Sequence, residues 1–381
     1  MNIKNIRQIF SHYLNKFEYI TDKNGNDENY KWFIAKKFRV LMDEALTKEG
    51  DEFAAALYKI KMVTENIIDS YTQPFSGLVE FAKHEPNTVK QMFINLYSDD
   101  NGDIHLQEKL ISDFFDKSNE LLEKYSPGSY LYKQNSHSVS AYLFLYDPDN
   151  HYMYKAEQSK KFADCIEFYD DWGSGDNIKL DIYYRMCDWL VEQISLCPEL
   201  LKTNESRFNL PNSIEMFADT NKHMLAFDII YACTVYDLFD GISFKKLKMK
   251  EKNLILEQRN TALCLLNNYN NALEELKNFN QAIKAIKNEL STGTVIQHKT
   301  FGKGKVLSHN NGIIEVSFDK KSGIKKLSIA AIFSMGLASF EDETVANYIL
   351  PIIPRLKNKE SLQNTVRRAE QLLEPYKEYL E

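Results

Sequence analysis

Among its 381 residues the chain has no C-x-x-C pair, for the five cysteines, Cys165, Cys187, Cys197, Cys233 and Cys264, stand apart. That speaks against a zinc ribbon, and the odd number speaks against a closed disulfide framework. They read as reduced, mostly buried thiols. No apolar run approaches the roughly 20 residues of a membrane helix. The opening MNIKNIRQIFSHYLNKF alternates charge with apolar residues where a signal peptide has an apolar core. The expectation is a cytosolic protein with no membrane segment. The histidines His12, His84, His105, His137, His151, His223, His298 and His309 form no H-E-x-x-H or other close ligand pair, and no serine sits in G-x-S-x-G. Motifs therefore point to no cofactor, no metal and no catalytic residue.

What is present is an ordinary globular composition, 44% hydrophobic and 27% charged, long enough for two or three domains. Its net charge of −7 is unevenly spread: seven lysines against Glu315 and Asp319 give residues 292–340 a charge of +5, while residues 1–291 carry −10. A basic module hangs on an acidic body. Such a module suits phosphate or an acidic protein surface, and equally suits a small sheet whose edges are guarded by lysine.

Residues 1 to about 130 read as helices. ENYKWFIAKKFRVLMDEAL, EFAAALYKIKMVTENIIDSY and HLQEKLISDFFDKSNELLEKY repeat apolar residues at three- and four-residue spacing, separated by turn-rich TDKNGND, YTQPFSG and YSDDNGD. Residues 137–200 give a mixed signal. NKHMLAFDIIYACTVYDLFDG is an almost fully apolar helix, expected to end at Gly241. A long helix follows over about residues 245–290. Leu266, Tyr269, Leu273, Leu276, Ile283 and Leu290 fall on its heptad positions, but Asn280 and Lys287 fall there too, and Phe279 and Ile286 drift off. So short and broken a seam favours a helix packed in its own domain, hence a monomer, over a coiled-coil dimer.

Two segments resemble ligand loops only in part. In YSDDNGDIHLQE, Asp99, Asn101, Gly102 and Glu108 sit at calcium-loop positions, but Tyr97 takes the place of the first carboxylate, so a turn between helices is expected. In DWGSGDN, Gly173 and Gly175 lack a following Gly-Lys-Ser/Thr, and the segment reads as a polar loop with Asp176 or Asn177 near a helix cap. The alternation of Tyr142, Phe144 and Tyr146 suggests core and not a base-stacking face.

From residue 293 the pattern changes to period two. Ile296, His298 and Thr300 alternate with the other face, Gly302 and Gly304 permit a sharp bend, and KVLSH faces IIEVSF across Asn311-Gly312. Ile314, Val316 and Phe318 share one face. DKKSG makes the next turn, and IKKLSI another strand. A strongly bent sheet of four or five strands, an SH3-like or Tudor-like barrel, is expected.

Here Gly293, Ile296, His298, Phe301, Gly302, Gly304 and Val306, followed by Phe318, Gly323, Lys325 and Leu327, resemble the C-terminal Tudor-like module of UvrD/PcrA-type helicases. Thr294 replaces the acidic residue usual after the first glycine. The resemblance implies a module that docks on RNA polymerase or nucleic acid, and covers only residues 293–340; no Walker motif makes the chain a helicase. Residues 140–163 are similar to a segment of the N-terminal recognition regions of McrB-type restriction proteins, carried by Pro148, Asp149, Tyr152, Tyr154, Lys155 and Phe162. That implies a prokaryotic DNA-recognition or defence setting, with any motor or cutter a separate protein.

The expected fold is mainly α: a multi-helix body over 1–243, with a subdomain break near 130, a connecting helix over 244–291, a Tudor/SH3-like β-barrel over 292–340 and a helical segment over 341–381. The expected function is a non-enzymatic adaptor that docks on nucleic acid or on a nucleic-acid-processing protein, such as an RNA polymerase or restriction and repair machinery. Its contacts are expected from Lys299, Lys303, Lys305, Lys320, Lys321, Lys325 and Lys326, with His298 and Phe301 either packed beneath the glycine bend or offering an apolar spot. A metal-dependent nuclease sited in 137–240 and a purely structural interaction protein are the competing readings.

Overall fold

The computed structural model describes residues 1–68, 71–98, 103–174, 177–209, 213–319, 321–356 and 359–380, without the side chains of 65, 66 and 177. The chain divides into two compact units, Met1–Lys252 and Asn253–Glu381. Among the described residues no helix is long and apolar enough to cross a membrane.

The first unit is helical: α1 (Ile3–Thr21), α2 (Tyr30–Leu46), α3 (Gly50–Ile68), α4 (Pro74–His84), α5 (Pro86–Leu96), α6 (Ile104–Tyr125), α7 (Ser136–Tyr146) and α8 (Ala156–Cys165). A small hairpin of β1 (Gly173–Ser174) and β2 (Asn177–Ile178) precedes α9 (Leu180–Ser195), α10 (Pro198–Glu205) and α11 (His223–Val235). α1 shows the general rule. Ile6, Ile9, Phe10, Tyr13, Phe17 and Ile20 fall on one stripe and are buried, and the Asn2 side chain accepts the Asn5 N–H at the start. α7 and α11 are buried almost all round. Two apolar clusters result. One is built mainly on α2 to α7, and the other joins α1 to α8, α9 and α11, so the start of the chain returns to pack with its middle.

Several boundaries differ from the sequence reading. α11 stops at Val235, not Gly241; Gly241 has φ +67° in the turns beyond it. The cap position of α9 is Lys179, which makes no side-chain cap, and the Leu180 N–H donates to Glu108 Oε1 of α6 at 2.9 Å; the Asn177 side chain expected near this cap is not among those described. Gly175 and Asp176 lie outside the described residues. Tyr142 and Phe144 are buried, on a helix.

α12 (Met249–Glu289) begins in the first unit and gives most of its length to the second. Its inner face differs from the expected seam by one residue. Ala272, Phe279 and Ile286 are buried, where Leu273, Asn280 and Lys287 had been placed, and Leu273 is exposed. Together with Tyr269, Leu276, Ile283 and Leu290 they form an unbroken three-four repeat, which removes the two polar residues from the interior.

The sheet of the second unit comprises β3 (Val295–His298), β4 (Gly302–Asn310), β5 (Ile313–Ser317), β6 (Ile324–Ser328) and β7 (Ala338–Phe340), all neighbours antiparallel, in the order β6-β5-β4-β3-β7. α13 (Ile329–Ser334), α14 (Glu343–Ile349) and α15 (Lys359–Leu373) complete it. The sheet is open, with no β6–β7 pairing, in place of the barrel expected. The Asn311-Gly312 turn has φ of +48° and +81°, the double left-handed geometry of a two-residue hairpin. Ile296, Val306, Ile314, Val316 and Phe318 make the core together with Ile286, Leu290, Ile329 and Ile332.

Gly304 is where this core is tightest. A Cβ there would lie 2.6 Å from Phe318 and Val316 side-chain atoms. Gly304→Ala is expected to destabilise the sheet by about 1–3 kcal/mol through overpacking, read as a lower urea midpoint; an unchanged midpoint would show that Phe318 moves aside freely.

Candidate functional site

The antiparallel order brings two turns to one end of the sheet. β3 and β5 finish there and β4 and β6 begin there, so residues 299–301 share that end with residues 319 and 321–323. His298 builds the first turn. Its ring is buried, and Nδ1 accepts the N–H groups of Thr300 at 3.1 Å and Phe301 at 3.4 Å. Phe301, half-buried, stacks on His298 with ring centroids 4.6 Å apart and meets Phe318 at 5.4 Å. Lys325, opposite Val316, places its Nζ 5.7 Å from the Phe301 ring centroid, a cation over an aromatic face.

The expected binding residues separate into groups. Lys303, Lys305 and Lys326 project from the outer face, being out of phase with the buried Gly304, Val306 and Val316. Lys303 is paired with Glu341 at 2.6 Å and Lys326 with Glu315 at 3.2 Å. Lys299 and Lys321 sit in the two turns and Lys325 at the rim of the other face. Lys320 lies outside the described residues. Among the described residues, Lys299, Lys305, Lys321 and Lys325 take part in no ion pair. Asp319, beside them, accepts the N–H groups of Ser322 and Lys321, and these bonds hold its carboxyl below the ordinary carboxylate range. The end of the sheet thus carries Lys299 and Lys321 in its two turns and the Lys325 ammonium over the half-buried Phe301 ring, none of them in an ion pair among the described residues, a surface suited to a flexible anion.

The first unit holds a cluster that sequence reasoning missed. Asp228, fully buried on α11, accepts from Lys31 Nζ at 2.6 Å, Arg207 Nη2 at 2.7 Å and Tyr13 Oη at 2.5 Å. Arg207 also donates to Asn29 at 2.5 Å and Asn204 at 3.1 Å, and its guanidinium lies 4.2 Å from the Trp32 ring centroid. Lys31 pairs with Glu28 at 2.9 Å, and Glu28 accepts from Tyr236. Burial pushes the Asp228 carboxyl up, but Lys31 and Arg207 outweigh it and hold the group below its ordinary value. The one signal for this cluster was a single aspartate inside the apolar run MLAFDIIYAC.

The remaining candidates are structural. Asp99, Asn101 and Gly102 lie outside the described residues, while Glu108 is engaged by α9 and Asp103 caps α6 through His105 and Leu106 N–H groups. Pro148, Tyr152, Tyr154 and Phe162 are buried. Lys155 Nζ lies 5.0 Å from the Tyr231 ring centroid, and burial, then Lys31, draw its pKa down to about 8. Among the described residues no three His, Cys, Asp or Glu side chains come together as a metal site.

Fold and site describe an α-helical protein carrying an open, lysine-rich antiparallel sheet. Comparison with protein families, with curated proteins and with solved structures finds no match to this chain.

Two outcomes are expected from the first unit. Asp228→Ala leaves Lys31 and Arg207 buried without their shared carboxylate and is expected to cost about 3–5 kcal/mol, measured by urea unfolding; a loss below about 1 kcal/mol, the level of a surface pair, would show that the cluster adds nothing. Asp219 accepts the Met224 and Leu225 N–H groups at the start of α11, yet burial pushes its carboxyl up to about 7 from an ordinary 3.8. A raised carboxyl pKa means that the folded state binds the extra proton, so this contribution is full below pH 3.8 and is lost as pH rises through about 7. His137, drawn down to about 4 chiefly by burial, acts in the opposite sense between pH 4 and 6.5. The difference in stability between wild type and Asp219→Asn isolates the aspartate; it should change between pH 4 and 7 and be flat if Asp219 titrates normally.

Proposed function

We propose that the chain is a non-enzymatic adaptor whose C-terminal sheet, a bent module of Tudor-like character, docks on the phosphate backbone of nucleic acid. The observation that supports this is the occurrence of Lys299, Lys321 and Lys325 in or beside the two turns at one end of the sheet, unpaired among the described residues, with Lys325 over the Phe301 ring. Local potential steers a polyanion even when the whole chain is acidic. Phosphate contacts of this kind fix position without reading sequence, so binding to many sequences and a steep salt dependence are expected. The resemblance of residues 293–340 to the helicase module favours the same reading, and that of residues 140–163 suggests a setting in prokaryotic DNA repair or defence. His298 has an internal role here, shaping the turn that presents Lys299 and Phe301.

The test is a titration of the intact protein with labelled duplex and single-stranded DNA and RNA at two salt concentrations. Three phosphate contacts on a duplex predict an affinity about 40-fold weaker at 200 mM than at 50 mM salt. Replacing Lys299, Lys321 and Lys325 together by Glu is expected to abolish binding while leaving thermal unfolding nearly unchanged, since all three side chains are exposed. Wild-type affinity in that variant, or no binding by either protein, would remove the reading.

A further inference from the structure

β6 is an edge strand whose free side can be specified group by group. Phe318 N–H donates to Gly323 C=O, and Ile329 N–H donates to Gly312 C=O. In an antiparallel ladder the residues that exchange hydrogen bonds alternate, so with the register of β5 and β6, Lys325 and Leu327 turn their backbone groups toward β5. Ile324 and Lys326 turn theirs away from the sheet, and no described residue bonds to them. The side chains leave this side accessible, Ile324 being 63% exposed and the Lys326 side chain 74%.

Natural sheets blunt such edges with proline, bulges, short strands or a covering element. β7, the opposite edge, has three residues. β6 has five, pairs with β5 without a register shift and contains no proline. Its guards are Lys325 and Lys326 alone, and these discriminate between partners. In a symmetric antiparallel pairing of two β6 strands, residues with outward backbone groups must face one another. The fully overlapped register sets Lys326 against Lys326 and the register shifted toward the 319–323 turn sets Lys325 against Lys325, like charges directly opposite being destabilising; only a shift the other way, with three residues of each strand overlapping and Leu327 on the axis, avoids facing lysines. A second copy is therefore a poor occupant. A strand carrying two adjacent acidic residues between apolar ones complements Ile324-Lys325-Lys326-Leu327 position by position, one acid on each face.

We infer that the open edge of β6 accepts an extended acidic segment of a partner protein as a sixth strand, by backbone pairing at Ile324 and Lys326. Main-chain bonds supply affinity in this mode and the alternating side chains supply choice of partner. The inference concerns the edge, which adjoins the phosphate-binding end of the sheet and shares Lys325 with it; what is particular to the edge is the backbone pairing at Ile324 and Lys326.

The probe is a capped synthetic peptide with the core Val-Glu-Glu-Val, added to the intact protein while amide hydrogen exchange is followed. The amides of Ile324 and Lys326 are expected to exchange about tenfold more slowly or better, as a new bond requires. Lys326→Pro removes an outward N–H, which edge strands tolerate, together with the Lys326 ammonium and its pair with Glu315, and should bind the peptide about tenfold more weakly than Lys326→Ala, which lacks the same charge but keeps the N–H. Methylating the alternate peptide nitrogens that face β6 tests the same bonds without altering the protein. A Val-Lys-Lys-Val peptide should not bind. Several results would overturn the inference: no binding, binding without slowed exchange at Ile324 and Lys326, equal binding of the lysine peptide, or protection that grows with protein concentration alone, which would make a second copy the occupant.

Discussion

The carboxylate of Asp228 is the point on which the helical unit depends. Charge is expensive to bury, by several kcal/mol per ion, and is tolerated only when its partners are held in good geometry. Here the partners come from α1, α2 and the short 3-10 turn after α10, so the carboxylate ties Tyr13, Lys31 and Arg207 to α11. Each partner is itself fixed. Arg207 is flanked by Trp32, Asn29 and Asn204, while Lys31 is shared with Glu28 and lies over Tyr231. Apolar packing alone would accept several ways of stacking these helices; the requirement that two buried cations meet one buried anion accepts few. Through Tyr13 the same carboxylate ties α1 to α11, in the cluster that α1 shares with α8 to α11.

In the second unit the constraint is steric and directional. Gly304 lets the backbone of β4 lie directly against Phe318 and Val316, and His298 satisfies the N–H groups of the turn that leads into it. Once that turn, the Asn311-Gly312 turn and the register shift between Val306 and Ser308 are set, strand parity decides the rest. It assigns each lysine to a face, a turn or an edge, and it decides which backbone groups of β6 remain free. Two adjoining surfaces follow from one small sheet: an end where lysines sit in two turns and Lys325 lies over Phe301, and an edge where the peptide groups of Ile324 and Lys326 face outward.

Much of this was legible in local patterns. The apolar stripes of α2, α3 and α6, the hairpin at Asn311-Gly312 and the inward alternation of Ile314, Val316 and Phe318 depend on neighbours a few residues away, and they appear in the structure as read. Errors fell where a longer-range contact intervened. The inner face of α12 was placed one residue off because the heptad was anchored on leucines, whereas tertiary packing selected Ala272, Phe279 and Ile286. α11 ended at Val235 because the turns beyond it have their own left-handed residues, Asp237 and Gly241. The cap of α9 came from Glu108, far away in sequence, so no local residue type could announce it.

The sequence by itself determined the helical class of the body, the position of the small sheet and its hairpin, and the concentration of lysine within it, because periodicity, turn chemistry and composition are local properties. Only the tertiary structure decided that the sheet stays open, which lysines are neutralised by Glu315 and Glu341, which take part in no ion pair among the described residues, that Lys325 lies over Phe301, and that one aspartate holds two cations inside the helical unit. Those outcomes depend on strand register and on contacts between residues as distant as Tyr13 and Asp228, and one-dimensional spacing does not encode the direction in which such groups face.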